Sequence, residues 1–269
     1  MNADNAQPVL AIDIGNSMAK VGVVDTHSWR CRARLSFTTA TLEEHFAHAV
    51  EELSTVFSGE RGVPVAVANV ADASVNEIER MLAGKHLGPL IMVAYDPTLP
   101  LSFAYQDPST LGADRIANAF YCRQSRSGRD AIMIAAGTAV TVDLITAEGR
   151  FAGGAILPGP GTQLHSLHAA AAALPEVLPA GVQDLRPGTT TESCMTVGVL
   201  ASVAGGIERL VEQFSMDCDE QPDLIATGGA WPLVARLLKA TCTHVPDATL
   251  IGIAAFATAK ADQARARTT

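Results

Sequence analysis

Three short stretches of the chain carry residue types that could do phosphate and proton chemistry. "DIGNSMAK" (13–20) places a carboxylate, Asp13, just before a small-residue turn of Gly15, Asn16 and Ser17, with a cation, Lys20, on the segment that follows. Such turns let backbone N–H groups approach an anion without side-chain obstruction. A carboxylate beside one can hold Mg²⁺, directly or through water, because that ion takes few carboxylates and completes its shell with waters and phosphates. Lys20 stands seven residues past Asp13, so the two start on opposite faces of an ideal ribbon, and only a chain reversal brings them to one site. The apolar neighbours in "AKVGVV" favour a lysine aimed at phosphate over a solvated one. "LGADRIAN" (111–118) opens an apolar-periodic helix with Asp114 and Arg115. An acid in a first turn complements the helix dipole, but an arginine there opposes it, so a ligand explains the pair better. Gly112 and Ala113 leave the adjoining backbone open to a substrate. "IMIAAGTAVTVDLI" (132–145) looks like a second copy of 10–24: Gly137 aligns with Gly15, Thr138 with Asn16, and Ala135 with Asp13. One turn carries a carboxylate where its twin carries a methyl group.

The surrounding pattern predicts the elements that must position these groups. "VLAIDI", "AKVGVVD" and "CRARLSF" read as an antiparallel meander of three strands. Residues 41–57 form an amphipathic helix with Leu42, Phe46, Ala49, Val50 and Leu53 on one face. The apolar runs "VPVAVANV" (63–70) and "PLIMVAY" (89–95) read as strands buried on both faces, with a short helix at 74–84 between them. A loop at 96–110 leads to a helix at 110–126. The pattern then restarts: "AIMIAA", "AVTVDLIT" and "RFAGGAIL" form a second meander, followed by helices at 160–174 and 190–215, the strand "PDLIATGG" and two last helices, "WPLVARLLKA" and "TLIGIAAFATAKADQ", with a frayed tail from Ala264. The boundary falls near Ser127, giving domains of 1–127 and 128–269, each an α/β unit opened by a meander.

Composition bounds the function classes. A chain of 269 residues with 48% hydrophobic and 17% charged residues buries a sizeable core as one large or two medium domains. The net charge of −9 argues against a nucleic-acid-backbone binder, though not against a small anion in a local positive pocket. "MNADNAQPV" has neither a basic nor an apolar signal region, and no uninterrupted apolar run reaches membrane-spanning length, so no membrane association is expected. Five scattered cysteines without a CxxC read as reduced thiols in or near the core. The pairs His45/His48 and His165/His168 have helical spacing but lack a third metal ligand. Asp143, in "VTVDLI", reads as buried and hydrogen-bonded and receives no catalytic task.

"DIGNSMAK", "LGADRIAN", "GTAVTVDLI" (137–145) and "FAGGAILPG" (151–159), in this order and at these spacings, resemble type III pantothenate kinase. Each motif alone is weak; the ordered set, with G-A-D-R between two glycine turns, is specific, and the resemblance runs from about Val9 to Ala259. It implies the acetate and sugar kinase/heat-shock ATPase/actin superfamily: an α/β protein of two duplicated ribonuclease-H-like domains with an interdomain ATP and substrate cleft. It implies ATP-dependent phosphorylation of pantothenate, the first step of coenzyme A synthesis, by a cytoplasmic homodimer using Mg²⁺ and a monovalent cation, potassium or ammonium. By the same resemblance Asp114 is the general base, and Asp13, Gly15, Asn16, Ser17, Lys20, Gly137 and Thr138 serve ATP, with Asp13 at the Mg²⁺. Tyr105, Gly112, Ala113, Asp114, Arg115 and Thr191 serve the substrate, although Thr191 can equally be read as a helix cap among three adjacent threonines. The family places its monovalent-cation Asp where this chain has Ala135. That departure invites a rival reading, a catalytically impaired member acting as a regulatory or binding protein.

Overall fold

The computed structural model describes residues 7–57, 62–71, 75–85, 87–125 and 128–267. In chain order they form β1 (Val9–Ile14), β2 (Met18–Asp25), β3 (Arg30–Thr38), α1 (Leu42–Ser54), β4 (Val65–Asn69), α2 (Val75–Leu82), β5 (Leu90–Met92), β6 (Ser102–Phe103) and α3 (Ala113–Ser125). There follow β7 (Ala131–Ala136), β8 (Ala139–Ile145), β9 (Arg150–Pro158), α4 (Pro160–Ala170), α5 (Thr191–Ser215), β10 (Asp223–Thr227), α6 (Trp231–Val234), β11 (Thr243–His244) and α7 (Ala248–Ala266). Two compact units result: one comprises the chain through Ser125 and again from Asp247, the other the chain in between, ending at Pro246.

In the first unit the strand order is β3-β2-β1-β4-β5, with the meander β1–β3 antiparallel and β4 and β5 parallel to β1. One face of the sheet buries Leu10, Ile12, Ile14, Val21 and Val23 against Phe46, Val50 and Leu53 of α1 and Ile78 of α2. The opposite face is covered by α7, which packs on β1, β2 and α3. A division after residue 127 assigns that last helix to the second half; its contacts lie with the first. The physical reason is that β1 is buried on both faces, and a helix with ten consecutive buried residues, Ala248–Ala257, can sit only inside a protein. Gly252 allows the approach, since a Cβ there would lie 1.9 Å from the Ala117 carbonyl oxygen. The anticipated boundary residue, Ser127, lies outside the described residues. α7 keeps its helical form to Ala266, past the expected fraying point.

The second unit repeats the scheme. Its order is β11-β10-β7-β8-β9, with β7–β9 an antiparallel meander and β10 and β11 parallel to β7. Ile132, Ile134, Val140 and Val142 pack against Leu200, Val203, Ile207 and Val211 of α5. This is the duplicated ribonuclease-H-like arrangement. Helix α5 has the length and apolar composition of a membrane span, the one helix among the described residues that does, and its buried face is accounted for by this core. The differences from the expected elements are local. β5 is short and half-buried because it is the edge strand of its sheet. α4 stops at Ala170, and α6 is one turn continued by a 3₁₀ turn, Ala235–Leu237.

Candidate active site

The first glycine turn joins β1 to β2 and is held by backbone. The Gly15 N–H donates to the Met18 carbonyl at 3.0 Å, leaving Asn16 and Ser17 exposed at the tip. The Thr39 N–H donates to Ser17 O at 3.0 Å and its hydroxyl to Gly15 O at 2.6 Å, while the Val70 N–H donates to Ile14 O at 3.0 Å. The turn is thus pinned by the ends of two neighbouring strands before any ligand arrives. Its reversal does what the linear spacing could not: Asp13 and Lys20 are direct cross-strand partners, with Lys20 Nζ 4.0 Å from Asp13 Oδ2.

Both side chains are largely withdrawn from water, at 14% exposure for Asp13 and 21% for Lys20. Burial pushes the Asp13 carboxyl up to about 6; Lys20 opposes the shift and the charge of Asp114 adds to it. Asp114 therefore lies within electrostatic reach of Asp13, and the two predicted acids share one locality of the first unit.

Asp114 sits in the first turn of α3. Its Oδ1 accepts from the Arg115 N–H at 2.9 Å, capping the helix from within, while the Arg115 N–H also donates to Gly112 O at 3.0 Å. Burial raises the carboxyl above its ordinary range, against the Arg115 N–H and guanidinium, which lower it. Gly112 leaves room for this carboxylate, since a Cβ there would stand 2.7 Å from Asp114 Oδ1 and push it aside. Ala113 is buried, and Arg115 is buried as well, at 5% exposure, which is unusual for an arginine in a first helical turn. Asn118, two positions past Ile116 in the same motif, is buried and accepts from the Thr249 hydroxyl at 2.9 Å. That bond fixes α3 to α7, and sequence reasoning assigned Asn118 nothing, because its partner is 131 residues away.

The second glycine turn joins β7 to β8. It is one residue shorter than the first: residues 137–139 separate the paired Ala136 and Val140, against 15–18 between Ile14 and Ala19. It is crowded by backbone. The Gly159 N–H and the Thr162 hydroxyl donate to Thr138 O at 2.8 and 2.6 Å, and the Ala230 N–H donates to Ala136 O at 2.9 Å. A Cβ at Gly159 would lie 2.0 Å from Gly137 O, and one at Gly228 (φ +97°) 2.1 Å from Ala136 O. Gly159 closes the motif "FAGGAILPG" and Gly228 opens the glycine pair of "PDLIATGG", but what each is needed for is revealed only by the tertiary approach. Because the turn is shorter, the residue opposite Ala135 is Thr141, occupying the place that Lys20 holds opposite Asp13.

The remaining predicted residues are more dispersed. Tyr105 is in the loop before α3, 36% exposed. Thr191 is the first residue of α5 and is exposed; the cap is Thr190, which accepts from the Ser193 N–H in a capping box, so capping does not account for Thr191. Asp143 is buried, as expected. The histidine pairs lie on α1 and α4, where His168 Nδ1 is 2.7 Å from Leu174 O, and no group of three or more metal-binding side chains forms among the described residues.

Comparison with known proteins bears on this geometry. The family model for type III pantothenate kinase matches residues 9–213. The chain is 32% identical to a type III pantothenate kinase of Desulfatibacillum aliphaticivorans, over 86% of this chain and 90% of that one. It is 31% identical to that of Sphingopyxis alaskensis, over 91% and 95%. Among solved structures, one described as a conserved putative Baf family transcriptional activator from Campylobacter jejuni superimposes with a TM-score of 0.57 at 18% identity, covering 94% of this chain and all of that one. That likeness speaks to the fold.

Proposed function

The chain belongs to the type III pantothenate kinase family, and we propose on that basis that its residues carry out the family's reaction as follows. The reaction is transfer of the γ-phosphoryl group of ATP to the hydroxyl of pantothenate, the first step of coenzyme A synthesis. The observation that carries the assignment of roles is the pair of desolvated carboxylates, Asp13 and Asp114, coupled by charge on one unit beside a lysine.

Phosphoryl transfer asks the protein mainly for positioning and for neutralising charge. Asp13 suits a metal ligand: it is a largely buried carboxylate with Lys20 4.0 Å away, and the loss of water around it, which the lysine only partly offsets, disfavours its charge until a cation binds. A Mg²⁺ held there, directly or through water, would supply the charge neutralisation that ATP phosphates require. Gly15, Asn16 and Ser17 offer the exposed turn for phosphate, and Lys20 contributes its ammonium group. Gly137 and Thr138 of the second turn also serve ATP. Asp114 accepts the hydroxyl proton of pantothenate. Its raised pKa brings the base nearer neutrality, where proton abstraction is more efficient, and it must lie about 2.6–3.2 Å from that hydroxyl to act. Arg115 orients the anionic end of pantothenate, with Gly112 and Ala113 giving access to the backbone and Tyr105 and Thr191 completing the substrate contacts. The enzyme works as a homodimer in the cytoplasm.

Release of ADP, followed by a coupled assay with pantothenate present and absent, tests the reading. Pantothenate-dependent ADP release is expected. None, from a folded protein, would favour the regulatory role that Ala135 invites.

A further inference from the structure

We infer that the second glycine turn of this chain holds no monovalent cation, and that Thr141 is the side chain left without a partner by the missing carboxylate. The two units present equivalent rows across their sheets: Ser36–Lys20–Asp13–Ala68 in the first and Ile156–Thr141–Ala135–Thr227 in the second. The first row pairs a carboxylate with a lysine. The second sets a methyl group between two threonines. Thr227 is buried and its hydroxyl donates to Pro246 O at 3.3 Å. Thr141 is 6% exposed, and its Oγ1 has no hydrogen-bond partner among the described residues.

Buried hydroxyls are nearly always bonded, so this orphan needs an account. Directly opposed residues have Cβ atoms about 4.5–5.5 Å apart, a span that an aspartate at 135 would close with one hydrogen bond to the Thr141 hydroxyl. Alanine cannot. The same methyl group removes the anionic ligand from the turn. A hard cation needs several oxygens, and a buried one needs its charge neutralised. Thr138 O already accepts two hydrogen bonds, and the other carbonyls that face one another here, such as Ala136 O and Ala139 O, each accept one; these neutral oxygens bring no negative charge to replace that of a carboxylate. Asp143 lies two positions along β8, opposite Met133 and Gly154, and has interactions of its own. The residues present do not fit a potassium or ammonium ion.

The inference leans on the kinase reading for its activity arm alone; its stability arm is independent. Thermal unfolding of the unmodified protein, T141V, A135D and A135D/T141V is compared in potassium, ammonium and tetramethylammonium chloride at fixed ionic strength. The unmodified protein should melt at the same temperature in all three salts. T141V should raise its Tm by roughly 2–6 °C, because an unsatisfied hydroxyl is removed. In the A135D background the same change should lower Tm, because there it breaks a bond. A135N, which also offers an oxygen, replaces A135D should the latter not fold. A saturable potassium-dependent rise in Tm of the unmodified protein, a loss of stability in T141V alone, or T141V acting alike in both backgrounds would each overturn the inference. ADP release by the unmodified protein should change less than about twofold between potassium and tetramethylammonium, since loss even of an outer-shell partner costs a metal site about 10–100-fold in affinity. Strong saturable potassium activation would overturn it. If no salt supports ADP release, the kinase reading fails, and the melting results still decide the cation question.

Discussion

Asp13 sets a conflict between stability and function that a single substitution exposes. Its carboxyl is raised from 3.8 to about 6, chiefly by burial, with a further push from Asp114. A group whose pKa is higher folded than unfolded favours the fold fully below its unfolded value, and that contribution is lost as pH rises through the folded value. For Asp13 the window runs from about 4 to 6. A shift of about two pKa units corresponds to roughly 3 kcal/mol at about 1.4 kcal/mol per unit, so the ionised side chain costs the ligand-free protein up to that much at pH 8. Asp13→Asn keeps the shape and cannot ionise. It also leaves Lys20, 4.0 Å away, without its counter-charge, which offsets part of the gain. A net stabilisation of about 1–2 kcal/mol at pH 8 remains, or roughly 3–8 °C in Tm for a chain of this size, falling to about zero at pH 4. The assay is thermal unfolding of parent and variant side by side from pH 4 to 8, so that other titrating groups cancel, in the absence of nucleotide and Mg²⁺. Kinase activity should be lost in the same variant. A Tm difference that does not grow between pH 4 and 6, or a variant less stable than its parent at pH 8, would refute the argument that Asp13 is a desolvated charge awaiting a cation.

Asp114→Asn should fold and lose turnover by about 10²–10⁴-fold, the usual range for a general base, and near-normal turnover in steady-state kinetics would remove Asp114 from that role. Because the charge of Asp114 helps raise Asp13, this variant should also move the pH-dependent part of the Asp13 stability profile downward, which the same melting series reads. Gly159→Ala should destabilise by roughly 1–3 kcal/mol in urea unfolding, since its Cβ would meet Gly137 O at 2.0 Å and the second glycine turn must shift to admit it. Light scattering at micromolar concentration should report twice the chain mass of 28.0 kDa; a monomer mass would count against the proposed homodimer.

The sequence by itself determined the repeated meander, the family and the identities of the acids. Those features are written in local signals: β-branched alternation, small-residue turns, and an acid–arginine pair at a helix start. Tertiary structure decided what depends on distant partners. The place of α7 is one case. Its all-round apolar surface is legible as burial, but which sheet face lacks a cover is a property of the folded first unit, with Gly252 against Ala117 providing the close approach. The pairing of Asp13 with Lys20 is another, since spacing alone puts them on opposite faces and only the four-residue reversal opposes them. The methyl at Ala135 was visible in the alignment of the two turns. The missing cation ligand was legible there too; the unpartnered hydroxyl was not, because Thr141 is identified by a turn one residue shorter than its twin, and a change of one residue in a turn moves the facing strand by one pairing position.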